Sequence, residues 1–171
     1  MFHIYHGDGK GKTTAAMGLA IRSAGNGNLV TIVQFLKGNA TGEIEILSRI
    51  PEITVYRNEV DLGFTKYMSE TEKEHCKIMH NMSLLNAIEK INAGECDLLI
   101  LDELSAAYNM ELVDHNMVHT LFEMRPKELE LVMTGRNPAA YFLDQADYIT
   151  EMKKERHPFD KGVGARKGIE Y

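Results

Sequence analysis

Six short segments of the chain have the apolar and β-branched composition of strands. They span residues 2–5, 29–36, 53–56, 96–103, 129–133 and 148–152. Segment 29–36 and the centre of segment 96–103 are almost continuously apolar, as strands are when helices cover both faces of a parallel sheet. Segments of helical character separate the strands, so the pattern predicts an α/β fold. We expect a doubly wound sheet of about six mostly parallel strands with helices on both faces.

The longest predicted helix has a signal at each end. Ser69 and Glu72 have the spacing of a capping box, and Gly94 is a helix stop. Between them, apolar residues recur at spacings of three and four, which is the period of one helix face. We expect this apolar stripe to face the core. It consists of Ile78, Met82, Leu85, Ile88 and Ile91.

Shorter helices are predicted between the other strands. They lie near residues 15–24, 43–50, 113–123 and 138–145. The first of them ends at the glycine signal around Gly25. In the last, Asn137 is the expected N-cap and Pro138 the expected first helical residue.

The turn between the first strand and the first helix, residues 6–14, carries three glycines at alternate positions. Such a turn directs backbone N–H groups at one point on the positive end of a helix, which suits phosphate. Lys12 and Thr13 complete a P-loop pattern, with an ammonium for phosphate oxygens and a hydroxyl for Mg²⁺. The predicted phosphate-binding residues are Gly7, Asp8, Gly9, Lys10, Gly11, Lys12, Thr13 and Thr14.

This loop differs from an ordinary P-loop at one position. His6 stands where the first glycine is usual, and the nearest glycine, Gly7, makes the loop one residue shorter. We therefore expect phosphate to bind here, with the nucleotide held differently from that of an ordinary P-loop ATPase.

The strand at 96–103 ends in two acids, Asp102 and Glu103. A buried strand that ends in acids is the Walker B pattern, which places a carboxylate near the Mg²⁺ of the P-loop. In open parallel sheets, ligands bind outside the carboxyl ends of the strands. Because Lys37, Phe64 and Arg136 also follow predicted strands, we expect one site to gather all these residues.

Composition narrows the class of protein. A chain of 171 residues with 44% hydrophobic residues suits a single globular domain, 1–171. No apolar run approaches the length of a membrane span, and a formal net charge of −6 argues against nucleic acid as a partner.

Cys76 and Cys96 form no close pair, so we expect a cytoplasmic protein without a disulfide framework. Residues 153–171 carry a formal charge of +3 and are expected to form a solvated basic tail.

Together these motifs resemble the ATP:corrinoid adenosyltransferase family, and the resemblance covers almost the whole chain. The segments that carry it are 7–16, 33–38, 63–65, 101–104, 134–136, 146–147, 156–160 and 167–171. The shortened P-loop is itself a trait of that family. The resemblance implies a P-loop NTPase-like, RecA-like fold in which ATP lies reversed and exposes its 5′-carbon.

The implied reaction is attack of a reduced corrinoid, with cobalt as Co(I), on the 5′-carbon of ATP, with release of triphosphate. The implied catalytic residues are Lys12 and Phe64, and Mg²⁺ or Mn²⁺ would bind to Thr13 and Glu103 with support from Asp102. Arg22, Lys37 and Arg136 are further candidates for the nucleotide. The resemblance also implies cobalamin, cobinamide or another corrinoid as substrate, a flavoprotein as a possible reductant, and a homodimer.

Two other functions remain open at this point. One is a P-loop kinase or NTPase that acts on a small metabolite and releases ADP. The other is a relative that binds nucleotide or corrinoid without catalysis. The shortened loop counts against the kinase.

Overall fold

The computed structural model of the chain describes residues 1–38, 41–57 and 68–170. Its strands are β1 (Phe2–His6), β2 (Val30–Gln34), β3 (Ile53–Arg57), β4 (Leu98–Asp102), β5 (Glu130–Gly135) and β6 (Tyr148–Glu151). Its α-helices are α1 (Lys12–Ala24), α2 (Gly42–Leu47), α3 (Glu70–Asn92), α4 (Leu104–Asn109), α5 (His115–Met124) and α6 (Ala140–Leu143). A short 3₁₀ helix, Pro158–Lys161, follows in the C-terminal segment.

The strands form one six-stranded sheet in the order β3-β2-β4-β5-β1-β6. Every strand pair in it is parallel. The predicted fold class is therefore confirmed, and the sheet is parallel throughout. One strand, β5, lies between the P-loop strand β1 and the acidic strand β4, so P-loop and acids are brought together across the carboxyl end of β5.

Successive residues of the central strands point to opposite faces of the sheet, as the two-residue period of a strand requires. On β4, Leu98 and Ile100 join the core under α1 and α2, which we call the α1 face. Leu99 and Leu101 join the core under α3, α4 and α5, which we call the aromatic face. All of β4 is buried, which explains why its sequence shows no polar alternation.

The two faces differ in the size of their side chains. Helix α1 meets the sheet with Ala16, Ala20 and Ala24. The aromatic face instead holds a cluster of rings: Phe122 lies 5.0 Å from Phe2, edge to face, and 5.0 Å from Phe142, tilted, centroid to centroid. Small side chains on α1 let its backbone approach the sheet more closely than large ones would.

The apolar stripe predicted for the long helix α3 is wrong for three of its five members. Ile78, Met82 and Leu85 are 48%, 55% and 46% exposed. Ile91 is buried and Ile88 packs against the core. The buried face is made instead of Cys76, His80, Ser83, Leu84, Ala87 and Ile91. Four of these six, Cys76, His80, Ser83 and Ala87, are small or polar, so counting strongly apolar residues selected a different face.

Helix boundaries follow the capping signals in some places and not in others. The capping box of Ser69 and Glu72 is present, with both reciprocal hydrogen bonds. The N-cap predicted at Asn137 is wrong: Asn137 has a left-handed φ of 50°, its carbonyl accepts a hydrogen bond from Asn109, and α6 begins later, with Ala139 as N-cap. Helix α4 was not predicted. Among the described residues, no helix has the length and apolar character needed to cross a bilayer.

Candidate active site

The P-loop turns sharply from β1 into α1 against the backbone that follows β6. Gly7 has a φ of +104°, and a Cβ added to it would lie 2.6 Å from the carbonyl oxygen of Met152. Gly9 donates its N–H to the same oxygen at 2.6 Å, and a Cβ there would come within 2.5 Å of it. Only glycine fits at either position, so this close contact explains two of the three alternate glycines; the third, Gly11, has a left-handed φ of +118°.

The side chain of Lys12 folds over the loop from the first turn of α1. Its Nζ donates to the carbonyl oxygens of Gly7 at 2.6 Å and Gly9 at 2.8 Å. Burial lowers the pKa of Lys12, and the negative charge of Glu103 opposes that shift. An ammonium held at the loop mouth in this way is placed to meet the oxygens of a bound polyphosphate.

The carboxylate of Asp102, at the end of β4, is fully buried and fully hydrogen-bonded. Its Oδ1 accepts from the hydroxyls of Thr13 at 2.9 Å and Thr134 at 2.7 Å. Its Oδ2 accepts from Lys37 Nζ at 2.6 Å and Gln34 Nε2 at 3.2 Å. The residues come from the ends of β2, β4 and β5 and from the start of α1, so this carboxylate ties the P-loop to the sheet.

Glu103 follows Asp102 in a left-handed conformation, with a φ of 62°. Its backbone N–H donates to Thr134 Oγ1 at 2.9 Å, and its side chain lines the central cavity. Burial raises the pKa of Glu103, with a further rise from the nearby charge of Asp102. A cation placed beside a carboxyl group in this environment would stabilise its charged form.

A cavity of about 840 Å³ opens at the carboxyl ends of the strands. Most of the predicted site residues line it: Asp8, Gly9, Lys10, Gly11, Lys12, Thr13, Thr14, Lys37, Glu103 and Arg136. Arg136 also lies 3.6 Å from the carboxylate of Asp8. Gly7 and Asp102 lie outside the lining, and Asp102 contacts Thr13 from beneath it.

Two further predicted residues, Arg22 and Phe64, are not placed at the cavity. Arg22 is exposed on α1, ten residues after Lys12, which is about 15 Å along a helix, and the cavity lining ends on that helix at Ile21. Phe64 lies outside the described residues. The roles given to both residues stay predictions.

Two walls of the cavity were not predicted from the residues. Met17, Gly18 and Ile21 on α1 form one of them. The other comes from the C-terminal segment, through His157 and residues 168–170. The prediction that segment 153–171 is only a solvated tail is therefore wrong for these residues, because the carbonyl of Ile169 accepts a hydrogen bond of 2.6 Å from Lys10 of the P-loop.

His80 is a further residue near the site whose role the sequence did not reveal. Its Nε2 accepts a hydrogen bond from the backbone N–H of Leu36 at 3.1 Å, and its Nδ1–H donates to the carbonyl of Leu112 at 2.7 Å. Burial lowers the pKa of His80, in keeping with this neutral form. It thereby anchors the residue that precedes Lys37, and the sequence carried no signal for this role, because His80 lies off the predicted apolar face.

The oxygens around Thr13 fit a magnesium ion. Mg²⁺ binds through one or two carboxylates, substrate phosphates and water, rather than through a cage of protein ligands. Thr13, Asp102 and Glu103 supply a hydroxyl and two carboxylates next to the P-loop. Among residues 1–38, 41–57 and 68–170 there is no group of three or more His, Cys, Asp or Glu that could hold a metal alone, so bound phosphates would have to complete the site.

Comparison with known proteins identifies the family. A sequence model of the family described as ATP:corrinoid adenosyltransferase BtuR/CobO/CobP matches residues 1–171. The corrinoid adenosyltransferase of Pseudomonas aeruginosa is 32% identical over 98% of this chain and 82% of its own length. Corrinoid adenosyltransferase CobA of Salmonella typhimurium is 32% identical over 98% of this chain and 84% of its own length. The chain belongs to the ATP:corrinoid adenosyltransferase family.

Membership in the ATP:corrinoid adenosyltransferase family confirms the prediction made from the motifs. It favours an adenosyltransferase of adenosylcobalamin biosynthesis over a P-loop kinase or a non-catalytic carrier. Among solved structures, the Aeropyrum pernix ORC2 protein matches 89% of this chain and 41% of that chain, with a TM-score of 0.44 and 15% identity. That similarity is too low to bear on function.

Proposed function

We propose that this protein transfers the 5′-deoxyadenosyl group of ATP to the cobalt of a reduced corrinoid. The observation that carries the proposal is the cavity itself. One end of it is lined by the P-loop with Lys10, Lys12 and Lys37, which suits a triphosphate. Another part is lined by the apolar side chains of Met17 and Ile21 on α1, which suit an adenosyl group.

The reaction forms one bond and breaks one bond. Co(I) donates an electron pair to the 5′-carbon of ATP, the cobalt–carbon bond forms, and the bond between that carbon and the 5′-oxygen breaks. Triphosphate leaves with the electron pair of the broken bond, and cobalt becomes formally Co(III). The nucleophile has no proton to lose, so the site needs no general base, and its main task is to stabilise charge on the departing triphosphate.

Cationic groups around the P-loop perform that task. Lys12 would contact the phosphates together with the loop amides, and Lys37 and Arg136 line the same cavity. Thr13 and Glu103 would hold Mg²⁺, with Asp102 supporting Thr13 through their 2.9 Å hydrogen bond. When bound, Mg²⁺ neutralises part of the phosphate charge. Arg22 is retained as a candidate for the nucleotide on sequence grounds.

Phe64 is proposed to press on the lower face of the corrinoid and keep cobalt four-coordinate, which makes Co(I) accessible. The support is the sequence match at residues 63–65. We also propose, from the family resemblance, that a flavoprotein supplies electrons, that the enzyme is a cytoplasmic homodimer, and that cobalamin, cobinamide or another corrinoid is the acceptor.

The test is to incubate the protein with ATP, Mg²⁺ and chemically reduced cobalamin, and in parallel with reduced cobinamide. We expect triphosphate as the product, together with the spectrum of an alkylated corrinoid. ADP in place of triphosphate would show a kinase or NTPase, and nucleotide binding with neither product would show a carrier. Glu103→Gln should raise the Mg²⁺ concentration needed for half-maximal rate, and an unchanged requirement would remove Glu103 from the metal site.

A further inference from the structure

Lys37 occupies an unusual position for a lysine that lines a substrate cavity. Its Nζ lies 2.6 Å from Asp102 Oδ2 and 2.9 Å from Thr13 Oγ1. The Thr13 hydroxyl donates its proton to Asp102 Oδ1, so its oxygen faces the ammonium with a lone pair. That lone pair is the one a metal ion would need, since hydroxyl oxygens bind Mg²⁺ through lone pairs.

The position of Lys37 is built into the fold. Lys37 follows Leu36, which has a left-handed φ of 58°, a conformation uncommon for a residue other than glycine. The backbone N–H of Leu36 is held by His80, and His80 is held in turn by the carbonyl of Leu112. Helix α3 therefore fixes the start of the loop that carries Lys37, and the lysine reaches Asp102 from a defined point.

Charge explains why a cation belongs at this position. The side chain of Asp102 is 0% exposed, whereas that of Lys37 is 26% exposed. A buried carboxylate is costly unless a cation and hydrogen bonds compensate it. Lys12 does not fill this role, because its Nζ donates to the carbonyls of Gly7 and Gly9. Lys37 reaches inward from the cavity wall, where it can also turn toward a ligand.

We infer that Lys37 holds the place of the divalent cation beside Thr13 and the Asp102 carboxylate that supports Thr13, and that it yields this place only when a triphosphate arrives. The triphosphate offers the ammonium new oxygen partners and brings its own Mg²⁺, so the exchange replaces one cation beside Asp102 with another. Lys37 is thus a positioning residue that makes metal binding depend on nucleotide. The inference rests on the metal site of the proposed function.

The direct test measures metal binding without nucleotide or corrinoid. Mn²⁺ is titrated into wild-type protein and into Lys37→Met, and the free ion is followed by its electron paramagnetic resonance signal. Because charge-assisted contacts are worth about 1.5–3 kcal/mol, Lys37→Met should bind Mn²⁺ at least about tenfold more tightly than wild type. Lys37→Arg, which keeps the charge, should restore weak binding. Equal Mn²⁺ affinity in wild type and Lys37→Met would overturn the inference.

Lys90 offers a matched control. Its Nζ lies 2.6 Å from Glu95, the same distance as in the Lys37–Asp102 pair, but both members of this pair are partly exposed on the surface. Lys90→Met should leave Mn²⁺ affinity unchanged. If Lys90→Met gained as much Mn²⁺ affinity as Lys37→Met, the gain would be a general effect of lower positive charge, and the inference would be overturned.

Thermal stability gives a second readout. Lys37→Met leaves the buried Asp102 without its ammonium, so the melting temperature should fall, and Mg²⁺ alone should restore part of the loss. The double variant Lys37→Met, Asp102→Asn carries neither charge and should melt above Lys37→Met without responding to Mg²⁺. If Lys37→Met does not fold, Lys37→Gln provides the same comparison. If Mg²⁺ does not reverse the loss in Lys37→Met, or in Lys37→Gln where that variant is used instead, the inference is contradicted.

The same measurements separate this inference from the proposed function. In one outcome, wild type binds Mn²⁺ with ATP present while Lys37→Met shows no higher Mn²⁺ affinity than wild type without ATP. That result would support the metal site and contradict the role of Lys37. If no variant binds Mn²⁺ even with ATP, the proposed metal site fails, and the inference fails with it.

Discussion

On the α1 face, helix and sheet meet through the alanines of α1, whereas on the aromatic face α5 and α6 meet the sheet through large side chains such as Phe122, Leu121 and Phe142. The first arrangement brings a backbone close to the sheet, and the Thr13 hydroxyl at its start reaches Asp102 at 2.9 Å. The second buries large apolar surfaces, which is the main source of stability. The α1 face thus positions the site, whereas the aromatic face stabilises the fold.

Removing a packed ring from the aromatic face should have the largest effect on the free energy of unfolding. Phe122 is 2% exposed and packs against Phe2 and Phe142. Phe122→Ala should lower the free energy of unfolding by about 3–5 kcal/mol, measured by urea denaturation. ATP affinity of the folded protein should stay unchanged. As a control on the same helix, Met124→Ala, at a residue 78% exposed, should alter stability by no more than about 0.5 kcal/mol.

Removing the P-loop lysine should have the opposite effect: ATP affinity should fall while stability stays nearly unchanged. Lys12→Ala takes away a cation from a buried triphosphate, and a charge-assisted contact is worth about 1.5–3 kcal/mol. ATP binding measured by calorimetry should weaken at least about tenfold, while the free energy of unfolding changes little. Unchanged ATP affinity and turnover would remove the P-loop from the mechanism.

Overpacking each face in turn sharpens the comparison. Ala20 on α1 and Ala87 on α3 are both 0% exposed. Ala20→Leu and Ala87→Leu should each lower the free energy of unfolding by about 1–3 kcal/mol. Only Ala20→Leu should also weaken ATP binding, because it moves α1 away from the sheet. Equal losses of ATP affinity would contradict the division between the two faces.

The smallest effect concerns His80, a polar residue of the aromatic face that holds the backbone of Leu36 next to the site. Burial lowers the pKa of His80 below its ordinary value of 6.5, so the unfolded chain binds the proton more readily. This contribution to stability is full above pH 6.5 and is lost as the pH falls toward the lowered pKa. His80→Gln should be less stable at pH 7 and show a weaker decline on acidification. An identical pH slope in both proteins would show that His80 does not titrate on unfolding.

Local patterns were enough to predict the strands, the P-loop and the acidic strand end. The apolar run of β4 and the alternate glycines of the loop can be recognised within a few residues of sequence, although the contact that requires glycine at positions 7 and 9 is with the distant carbonyl of Met152. The capping box of Ser69 and Glu72 is local in the same sense, and it is present as expected. The face that α3 buries could not be predicted in this way, because it depends on which side meets the sheet, and a hydrogen-bonded His80 occupies that side.

The sequence by itself therefore determined the kinds of elements, their order along the chain and the chemistry at the strand ends. Tertiary structure decided which of those groups meet. It set β5 between β1 and β4, joined Lys37 to Asp102 across 65 residues of sequence, and brought Ile169 against the P-loop. The physical reason is range: the signals of strands, caps and turns lie in neighbouring residues, whereas the partner of a charged side chain is fixed by how the whole sheet is ordered.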